Sequence, residues 1–445
     1  MLSAAAAYVL RPRTIARAKQ IEVSDLGRRV MVIVPHPDDE ILIAGGTIRR
    51  LLAAGGQVRV VIVTAGDGYY RAARRLSAGP VGEAAFRRLG DTRHEESLRA
   101  AAEIGLPASG VVSLGFPDAG TSALWDAGWS GETVHVGRGS AGSVPYEWAS
   151  QPGATYSGRQ LASQLVSQIE DFRPDTVIGP DTRETHPDHA AVAAFMQFAL
   201  DEADFASRRL TAFVHFKHFP YPWAYVPSAP LSPPPVLVGD GSTWLALPLD
   251  AADERAKRTA IEEYRSQTAV PDLAVYMRAF VRRNELFEER PAAAPATQTT
   301  DARPAPGESG TLLVAPAPVI PPPLTRRARI SSVRMVRGPS VTWVGIVTDR
   351  PIDPANDYRL SLRLTGGTDP AERFDVLVHD GVAGTLHVST DGTAPAGVTS
   401  EADGRTLWIA APSALFAGRT HALLGTAAGL PKSPPFRSAW RDIAL

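Results

Sequence analysis

Two short runs of branched apolar residues, at positions 30–35 and 58–64, constrain the fold of this chain more than any other feature. Such runs, rich in valine and isoleucine, are typical of parallel strands that are covered on both faces. Residues 41–56 lie between them, carry apolar side chains at helical spacing and end in two glycines, which is a helix stop signal. We therefore predict a β-α-β unit near the start of the chain.

The alternation continues further along the chain. Residues 93–106 have a helical pattern and precede an apolar run at 111–116, and residues 158–172 have a helical pattern and precede an apolar run at 174–180. Strands that alternate with helices form an open, mostly parallel sheet. The sequence thus predicts an α/β fold, with a Rossmann-like sheet and helices on both faces.

The character of the sequence changes after residue 290. Prolines and small residues dominate the next segment, which favours an extended spacer. Beyond it, short alternating segments are separated by glycine, aspartate and proline, which is typical of a small β-sandwich. We predict four parts: an N-terminal extension (1–27), an α/β domain (28–290), a Pro/Ala-rich linker (291–326) and a small all-β, sandwich-like domain (327–445).

Charge and composition exclude several classes of protein. The chain has 46 lysines and arginines against 47 acidic residues, so its net charge of −1 gives no reason to expect nucleic acid as a partner. Cysteine is absent, which excludes disulfides, thiolate metal sites and a cysteine nucleophile. The apolar stretch at 1–10 is shorter than the roughly 20 residues of a spanning helix. We expect a cytoplasmic protein without an integral membrane segment, and the sequence leaves the oligomeric state open.

The sequence HPDDE, residues 36–40, follows the first predicted strand. In a parallel sheet, the loops that leave the carboxyl ends of the strands bind ligands. His36 and Asp39 offer an imidazole nitrogen and a carboxylate oxygen, both of which zinc accepts. Asp38, between them, would take a proton from a water that the metal activates. The alternative is an acidic turn whose carboxylates cap the following helix.

A second cluster, HPDH at residues 186–189, also lies between an apolar strand and a helix. His189 would complete a His-Asp-His site that leaves a position open for water or substrate, as catalytic zinc sites do. His186 would lie beside that position and donate to an oxyanion or protonate a leaving group, and Asp188 would orient His186 and keep it charged. Either cluster alone is explained by a surface turn, but two clusters at two strand ends favour a metal site.

Over about residues 28–270, the chain resembles the PIG-L/LmbE-like zinc-dependent N-acetylglucosaminyl deacetylases, in which a strand is followed by HPDDE and, much later, by HPDH. The resemblance implies a zinc-binding set that consists of His36, Asp39 and His189. It also implies that Asp38 is the general base and that His186 stabilises the oxyanion or acts as the acid. Zinc is the expected ion, and another divalent metal such as Fe²⁺ is the alternative.

Weaker similarities fall outside the two clusters. The segments RHEES (93–97) and LGFPDAG (114–120) are similar to family segments, which implies that Arg93 and Asp118 contact sugar hydroxyls. A helix cap and a turn are the structural alternatives for these two residues. His215 stands at the end of an apolar segment with aromatic residues after it and would line the same sugar site, with a place in the core or on the surface as its alternative.

The sequence therefore predicts a zinc-dependent hydrolase that removes an N-acetyl group from an N-acetylglucosamine-type sugar or its conjugate, with a small molecule or glycan as partner. One alternative is an amidase that acts on a thiol or sugar conjugate with the same zinc chemistry. Another is a catalytically silent carbohydrate-binding protein, in which Trp343 and Trp408 stack on sugars. A nucleotide-binding protein is disfavoured because three acids, in place of a glycine-rich turn, follow the first strand.

Overall fold

The computed structural model describes most of the chain. The described residues are 18–130, 132–140, 142–203, 205–238, 242–290, 294–298, 300–304, 311–314, 330–367, 372–379, 382–387, 397–429, 436–437 and 440–445. The helices are α1 (Asp39–Ala53), α2 (Tyr70–Arg75), α3 (Glu83–Glu103), α4 (Thr121–Ala127), α5 (Gly158–Phe172), α6 (Pro187–Glu202), α7 (Ala251–Glu263), α8 (Arg265–Thr268) and α9 (Pro271–Arg278). Within the described part of the chain, no helix has the length and apolar character that are needed to cross a membrane.

One eight-stranded sheet occupies the first part of the chain. Its strands are β1 (Lys19–Gln20), β2 (Arg29–Val34), β3 (Gln57–Thr64), β4 (Val111–Phe116), β5 (Thr176–Pro180), β6 (Arg208–Ala212), β7 (Thr243–Pro248) and β8 (Asn284–Glu289). They lie in the order β1-β7-β8-β6-β5-β2-β3-β4. The five strands from β6 to β4 in this order pair in parallel, whereas β8 pairs antiparallel with both β6 and β7. The predicted α/β fold with a mostly parallel sheet is confirmed.

Strand β2 shows why helices cover both faces of the sheet. Val30, Val32 and Val34 are buried in one apolar cluster, which includes residues of α1, α3 and α7. Met31 and Ile33, which alternate with them, are buried in a second cluster that includes residues of α4, α5 and α6. Successive side chains of a strand point to opposite faces, so a continuous apolar run needs a covering layer on each side. Burial of each such side chain contributes roughly 1.5–3 kcal/mol.

The order of the parallel strands creates a crevice between β2 and β5. From β2 the chain passes through α1 to β3, on one side, whereas from β5 it passes through α6 to β6, on the other side. Neighbouring strands whose connections diverge in this way leave space at their carboxyl ends, where α/β proteins bind ligands. HPDDE follows β2 and HPDH lies shortly after β5, so both histidine clusters reach this crevice.

Two further sheets pack together in the last part of the chain. Their strands are β9 (Ala294–Pro295), β10 (Thr297–Gln298), β11 (Thr311–Val314), β12 (Ile330–Arg337), β13 (Val341–Thr348), β14 (Asp357–Thr365), β15 (Glu372–His379), β16 (Val382–His387), β17 (Thr399–Asp403), β18 (Thr406–Pro412), β19 (His421–Gly429), β20 (Phe436–Arg437) and β21 (Arg441–Ala444). One sheet has the order β10-β12-β13-β18-β17, with β11 beside β12; the other has the order β16-β15-β14-β19-β21-β9, with β20 beside β19. Apolar residues of both sheets form one core. A separate all-β region, as predicted, therefore follows the α/β sheet.

Several short strands lie where the sequence predicted an extension or a linker. Strand β1 pairs with β7 of the large sheet, and β9, β10 and β11 pair with β21 or β12 of the all-β region. The described residues of the predicted linker thus include short strands that pair with that region, because proline-rich extended backbone can add to the edge of a sheet. The four-part division of the chain stays a prediction.

The two tryptophans that were considered for sugar stacking lie within the all-β region. Trp408 is buried, and the indole N–H of Trp343 donates to the carbonyl of Asp301 at 3.1 Å. Their rings meet edge to face, with centroids 6.5 Å apart. Trp343 is half-buried, and the neighbours of the two tryptophans along their strands, Val344 and Leu407, belong to the core between the two sheets. Both tryptophan rings therefore lie on the opposite face of their sheet.

Candidate metal centre

Asp39 lies between the two histidines that the sequence assigns to the metal. Its Oδ2 is 3.4 Å from Nδ1 of His36 and 3.3 Å from Nε2 of His189, and it accepts the backbone N–H of His36 at 3.0 Å. Burial opposes ionisation of Asp39, but the charges of His189 and His36, whose rings lie close to its carboxylate, hold its pKa well below the usual range. The structure therefore brings the three predicted ligands together.

The donor set fits zinc. Ligands at bond lengths of about 2.0–2.1 Å lie about 3.3 Å apart at the corners of a tetrahedron, which is close to both nitrogen-to-oxygen distances at Asp39. Both ring nitrogens of His189 are buried and, within the described part of the chain, make no hydrogen bond of ordinary geometry, so a cation would satisfy a nitrogen that is otherwise poorly paired. Imidazole and carboxylate ligands also suit Fe²⁺.

Each of these two histidines has a carboxylate behind it. Nε2 of His36 lies 3.2 Å from Oδ2 of Asp188 and 3.3 Å from Oδ1 of Asp118. Nδ1 of His189 lies 3.5 Å from Oε1 of Glu184. Carboxylates in this position fix the orientation and tautomer of a metal-binding histidine and raise its basicity. Glu184 was not predicted from the sequence, in which its only signal is an acid just ahead of HPDH.

Asp38 adjoins the ligand set in a strained backbone conformation. Its φ is 127°, a value that residues with a side chain rarely adopt, and such strain costs about 1–3 kcal/mol. Arg93 donates to its Oδ2 at 2.9 Å. Burial raises the pKa of Asp38 to about 7, against the opposing charge of Arg93. A carboxyl group with a pKa near neutrality is suited to accept a proton and to return it.

His186 is the N-cap residue of α6. Its Nδ1 accepts the backbone N–H of Asp188 at 3.3 Å, and its ring centroid is 5.0 Å from that of His36 and 5.3 Å from that of His189. Burial and the charges of these two histidines lower the pKa of His186 to about 4. The ring is therefore neutral near pH 7, with its proton on Nε2, and can donate a hydrogen bond from that nitrogen.

The residues of the candidate site lie in a part of the chain that is similar to known proteins. The PIG-L family model, described as GlcNAc-PI de-N-acetylase, matches residues 31–200, a range that includes both histidine clusters. The chain carries a PIG-L domain. Strands β3 to β5, most of β2 and the predicted ligands His36, Asp39 and His189 lie within the matched range.

Curated relatives are similar over part of the chain. A 1D-myo-inositol 2-acetamido-2-deoxy-alpha-D-glucopyranoside deacetylase from Tsukamurella paurometabola is 30% identical over 192 residues, which cover 40% of this chain and 56% of the relative. A protein of the same name from Nakamurella multipartita is 28% identical over 284 residues, which cover 61% of this chain and 89% of the relative. The chain spans only 53 to 59% of the length of the first three curated relatives.

Among solved structures, the N,N'-diacetylchitobiose deacetylase of Pyrococcus horikoshii matches 58% of this chain and 82% of its own length. The identity is 20% and the TM-score is 0.33.

The carboxylate of Asp188 faces a different histidine from the one that the sequence analysis assigned to it. Its two oxygens accept Ala119 N–H at 2.6 Å and Thr121 N–H and Oγ1–H at 3.1 and 2.6 Å, and Oδ2 also lies beside Nε2 of His36. Among the described residues, the Asp188 carboxylate makes no hydrogen bond to His186. Instead, Nδ1 of His186 accepts the backbone N–H of Asp188. The donors at the start of α4, Ala119 and Thr121, hold the carboxylate beside His36. Asp188 therefore orients His36.

Arg93 and Asp118, for which the sequence predicts sugar contacts, make hydrogen bonds and ion pairs within the candidate site. The buried Arg93 guanidinium donates to Asp38, to the carbonyl of Pro37 and, at 2.9 Å, to the carbonyl of Gly66. The Asp118 carboxylate accepts the N–H of Gly68 at 3.0 Å and contacts His36. Both side chains are therefore buried, and they hold Asp38 and His36 in place.

His215 lies beside the two histidines of HPDH. From the sequence, it was expected either in the sugar site or at an unrelated position in the core or on the surface. Its ring centroid is 4.7 Å from that of His189 and 5.0 Å from that of His186. The ring of His215 also stacks on that of Tyr276, with the ring centroids 5.8 Å apart. Trp223, 57% exposed, meets Tyr276 edge to face. A chain of rings thus leads from the two HPDH histidines to the surface.

Glu40, the third acid of HPDDE, also has a structural role. One of its oxygens accepts the hydroxyl of Tyr264, and the other accepts the N–H of Asp38 at 3.0 Å. Burial raises the pKa of Glu40 to about 8. Glu40 therefore braces the turn that carries Asp38, and Tyr264 was not identifiable from the sequence because it lies far along the chain.

Proposed function

We propose that the PIG-L domain is a zinc-dependent hydrolase that removes an N-acetyl group from an N-acetylglucosamine-type amino sugar or its conjugate. The observation that carries the proposal is the position of Asp39, whose Oδ2 lies 3.3–3.4 Å from one ring nitrogen of His36 and one of His189, with Asp38 beside it. The description of the family model and the names of the curated relatives support the substrate class. A cytoplasmic location stays a prediction.

His36, Asp39 and His189 would hold the zinc ion. When bound, zinc lowers the pKa of a coordinated water to about 7 and polarises a carbonyl oxygen. Asp188 and Glu184 fix the rings of the two histidines from behind. These residues define where the amide carbonyl of the substrate must be placed.

Asp38 is assigned to proton transfer. It takes the proton of the attacking water as the carbon-to-oxygen bond forms, and Arg93 keeps its carboxylate oriented through the 2.9 Å hydrogen bond. His186 donates from Nε2 to the oxyanion that develops on the former carbonyl. When the carbon-to-nitrogen bond breaks, Asp38 returns its proton to the leaving nitrogen, so that the products are acetate and a free amine.

The ring of His215 and the surface aromatics beyond it would bind the sugar. His215 lies against both HPDH histidines, and Tyr276 and Trp223 extend the apolar surface outwards. Aromatic rings present an apolar face to the C–H groups of a pyranose, and their polar edges hydrogen-bond. We infer that the N-acetyl sugar lies between this surface and the metal centre.

The test is a measurement of acetate release across a panel of N-acetylglucosamine compounds, on purified protein whose metal content has been determined. We expect stoichiometric zinc, acetate release from at least one compound, loss of activity with a chelator, and recovery when zinc is restored. Absence of acetate from every compound would contradict the proposal. Release of a different acid from thiol or sugar conjugates would instead indicate the amidase.

A further inference from the structure

Helix α4 connects the all-β region with the metal centre. It consists of seven residues, Thr121–Ala127, and a helix of this length is not stable by itself in water. Its end groups lack partners inside the helix, so contacts outside the helix must hold it. Both of its ends make such contacts, and these contacts come from different parts of the chain.

The N-terminal end of α4 is held by Asp188. The carboxylate accepts the N–H and hydroxyl of Thr121 and the N–H of Ala119, as described above. Asp188 is fully buried and its Oδ2 lies 3.2 Å from Nε2 of His36. A displacement of α4 would therefore move the carboxylate that orients His36.

The C-terminal end of α4 is held by Arg363 of β14, in the all-β region. Arg363 is 1% exposed and its Nη2 donates to the carbonyl of Trp125 at 3.0 Å. Its guanidinium carbon lies 5.3–5.6 Å from the ring centroids of Trp125, Trp129 and Trp440. Charge-assisted hydrogen bonds and contacts with aromatic faces are strong when they are shielded from water, so this end of the helix is fixed.

We propose that Arg363 is a positioning residue for the metal centre, and that the all-β region thereby completes the PIG-L domain. The path runs from Arg363 through α4 to Thr121, from Thr121 to Asp188, and from Asp188 to His36. Trp125 and Trp129 belong to the segment rich in glycine, serine and tryptophan that separates β4 from α5, and the side chain of Arg363 in β14 contacts both of them. The expected effect on catalysis rests on the proposed deacetylase function. The expected effect on the backbone of residues 119–127 does not.

Hydrogen exchange measures the backbone consequence directly. In full-length Arg363→Lys, which keeps the charge but loses the planar group that reaches Trp125, we expect faster amide exchange in residues 119–127. Glu202→Gln is the matched control, because Glu202 accepts the N–H of Gly366 at 3.2 Å in the same interface but lies at the other end of α6 from Asp188. The control should leave exchange in 119–127 unchanged. Equal acceleration in both variants, or none in Arg363→Lys, would overturn the proposal.

Zinc competition with a chelating dye and steady-state kinetics measure the consequence for the site. Arg363→Lys should weaken zinc binding and lower kcat by about 2- to 30-fold, the range that corresponds to a coupling of 0.5–2 kcal/mol, with a smaller change in KM. Glu202→Gln should match the wild type. If the wild type releases no acetate, the proposed function fails, whereas the exchange and zinc measurements still decide the role of Arg363.

Thr121→Val is a second variant, which tests the same path from the PIG-L side if Arg363→Lys does not fold. It removes the hydroxyl that donates to Asp188 and leaves the interface with the all-β region intact. We expect the same loss of zinc affinity. If Arg363→Lys folds, the double variant should lose little more than the more affected single variant. Full additivity of the two losses would contradict a shared path.

Discussion

The carboxylate of Asp188 lies 3.2 Å from Nε2 of His36, although 152 residues separate them in the sequence. His36 follows β2 and Asp188 lies in the first turn of α6, after β5. The contact exists because β2 and β5 are neighbours in the sheet. The two histidine clusters therefore lie at one site. The first brings two of the proposed ligands, and the second brings the third, together with the carboxylate that faces the histidine of the first.

The proposed general base can be separated from the proposed ligands by mutation. Asp38→Asn removes the proton acceptor but none of the three ligands, so we expect zinc content to be retained and kcat to fall about 10²–10⁴-fold. His189→Ala, in contrast, should lose the metal. Metal analysis and acetate release on the same preparations check both, and an Asp38→Asn enzyme with wild-type activity would refute the role of Asp38.

Glu184 should contribute to metal affinity without being a ligand. Its Oε1 is 3.5 Å from Nδ1 of His189, and loss of such a supporting carboxylate typically costs about 10–100-fold in metal affinity or activity. We expect Glu184→Gln to weaken zinc binding in this range in a chelator competition. Glu170→Gln, at an exposed position of α5, is the control. Unchanged affinity in Glu184→Gln would show that His189 does not need this partner.

The acid limb of the pH profile should depend on Arg93. Burial raises the pKa of Asp38, and the charge of Arg93 lowers it. Removal of that charge in Arg93→Gln should therefore raise the pKa of Asp38, so that Asp38 is protonated and inactive up to a higher pH. We expect the acid limb of kcat/KM to move up by about one unit or more. Arg99→Gln, on the more exposed side of α3, should not move it, and a downward shift in Arg93→Gln would contradict this reasoning.

The interface between the PIG-L domain and the all-β region should weaken as the pH rises. Asp442 of β21 lies close to Asp201 of α6, with His421 and Arg209 beside them. Burial and the charge of Asp201 raise the pKa of Asp442 to about 8. Below about pH 4 both the folded and unfolded states hold this proton. Between about pH 4 and 8 only the folded state holds it, so the free energy of unfolding falls with pH, by at most about 1.4 kcal/mol per unit.

Asp442→Asn removes this titration. We expect the free energy of unfolding of Asp442→Asn to depend less on pH than that of the wild type. From pH 5 to pH 8, the wild type should lose more of this free energy than the variant does. Urea midpoints at several pH values measure the difference, and the titration of the metal-site histidines is common to both proteins and cancels. Parallel pH profiles would show that Asp442 is not protonated in the folded state.

Much of the fold followed from local sequence patterns. The apolar runs near residues 30 and 60 and the helical pattern at 158–172 correspond to β2, β3 and α5, because continuous and periodic apolar patterns are set by which faces each element buries. The short strands β9 to β11 were not predicted, because a proline-rich segment has the same extended pattern whether it lies free or pairs with an edge.

The sequence by itself determined the α/β fold, the positions of the two histidine clusters after β2 and β5, and the residue types that suit zinc. Only the tertiary structure decided which side chains serve those residues: Asp188 faces His36, Arg93 faces Asp38, Glu184 faces His189, and Arg363 holds α4. A motif is a local pattern, and it specifies the atoms that can do chemistry. The groups that orient those atoms mostly come from distant segments, and their partners are chosen by strand order and helix packing, which leave no local signal.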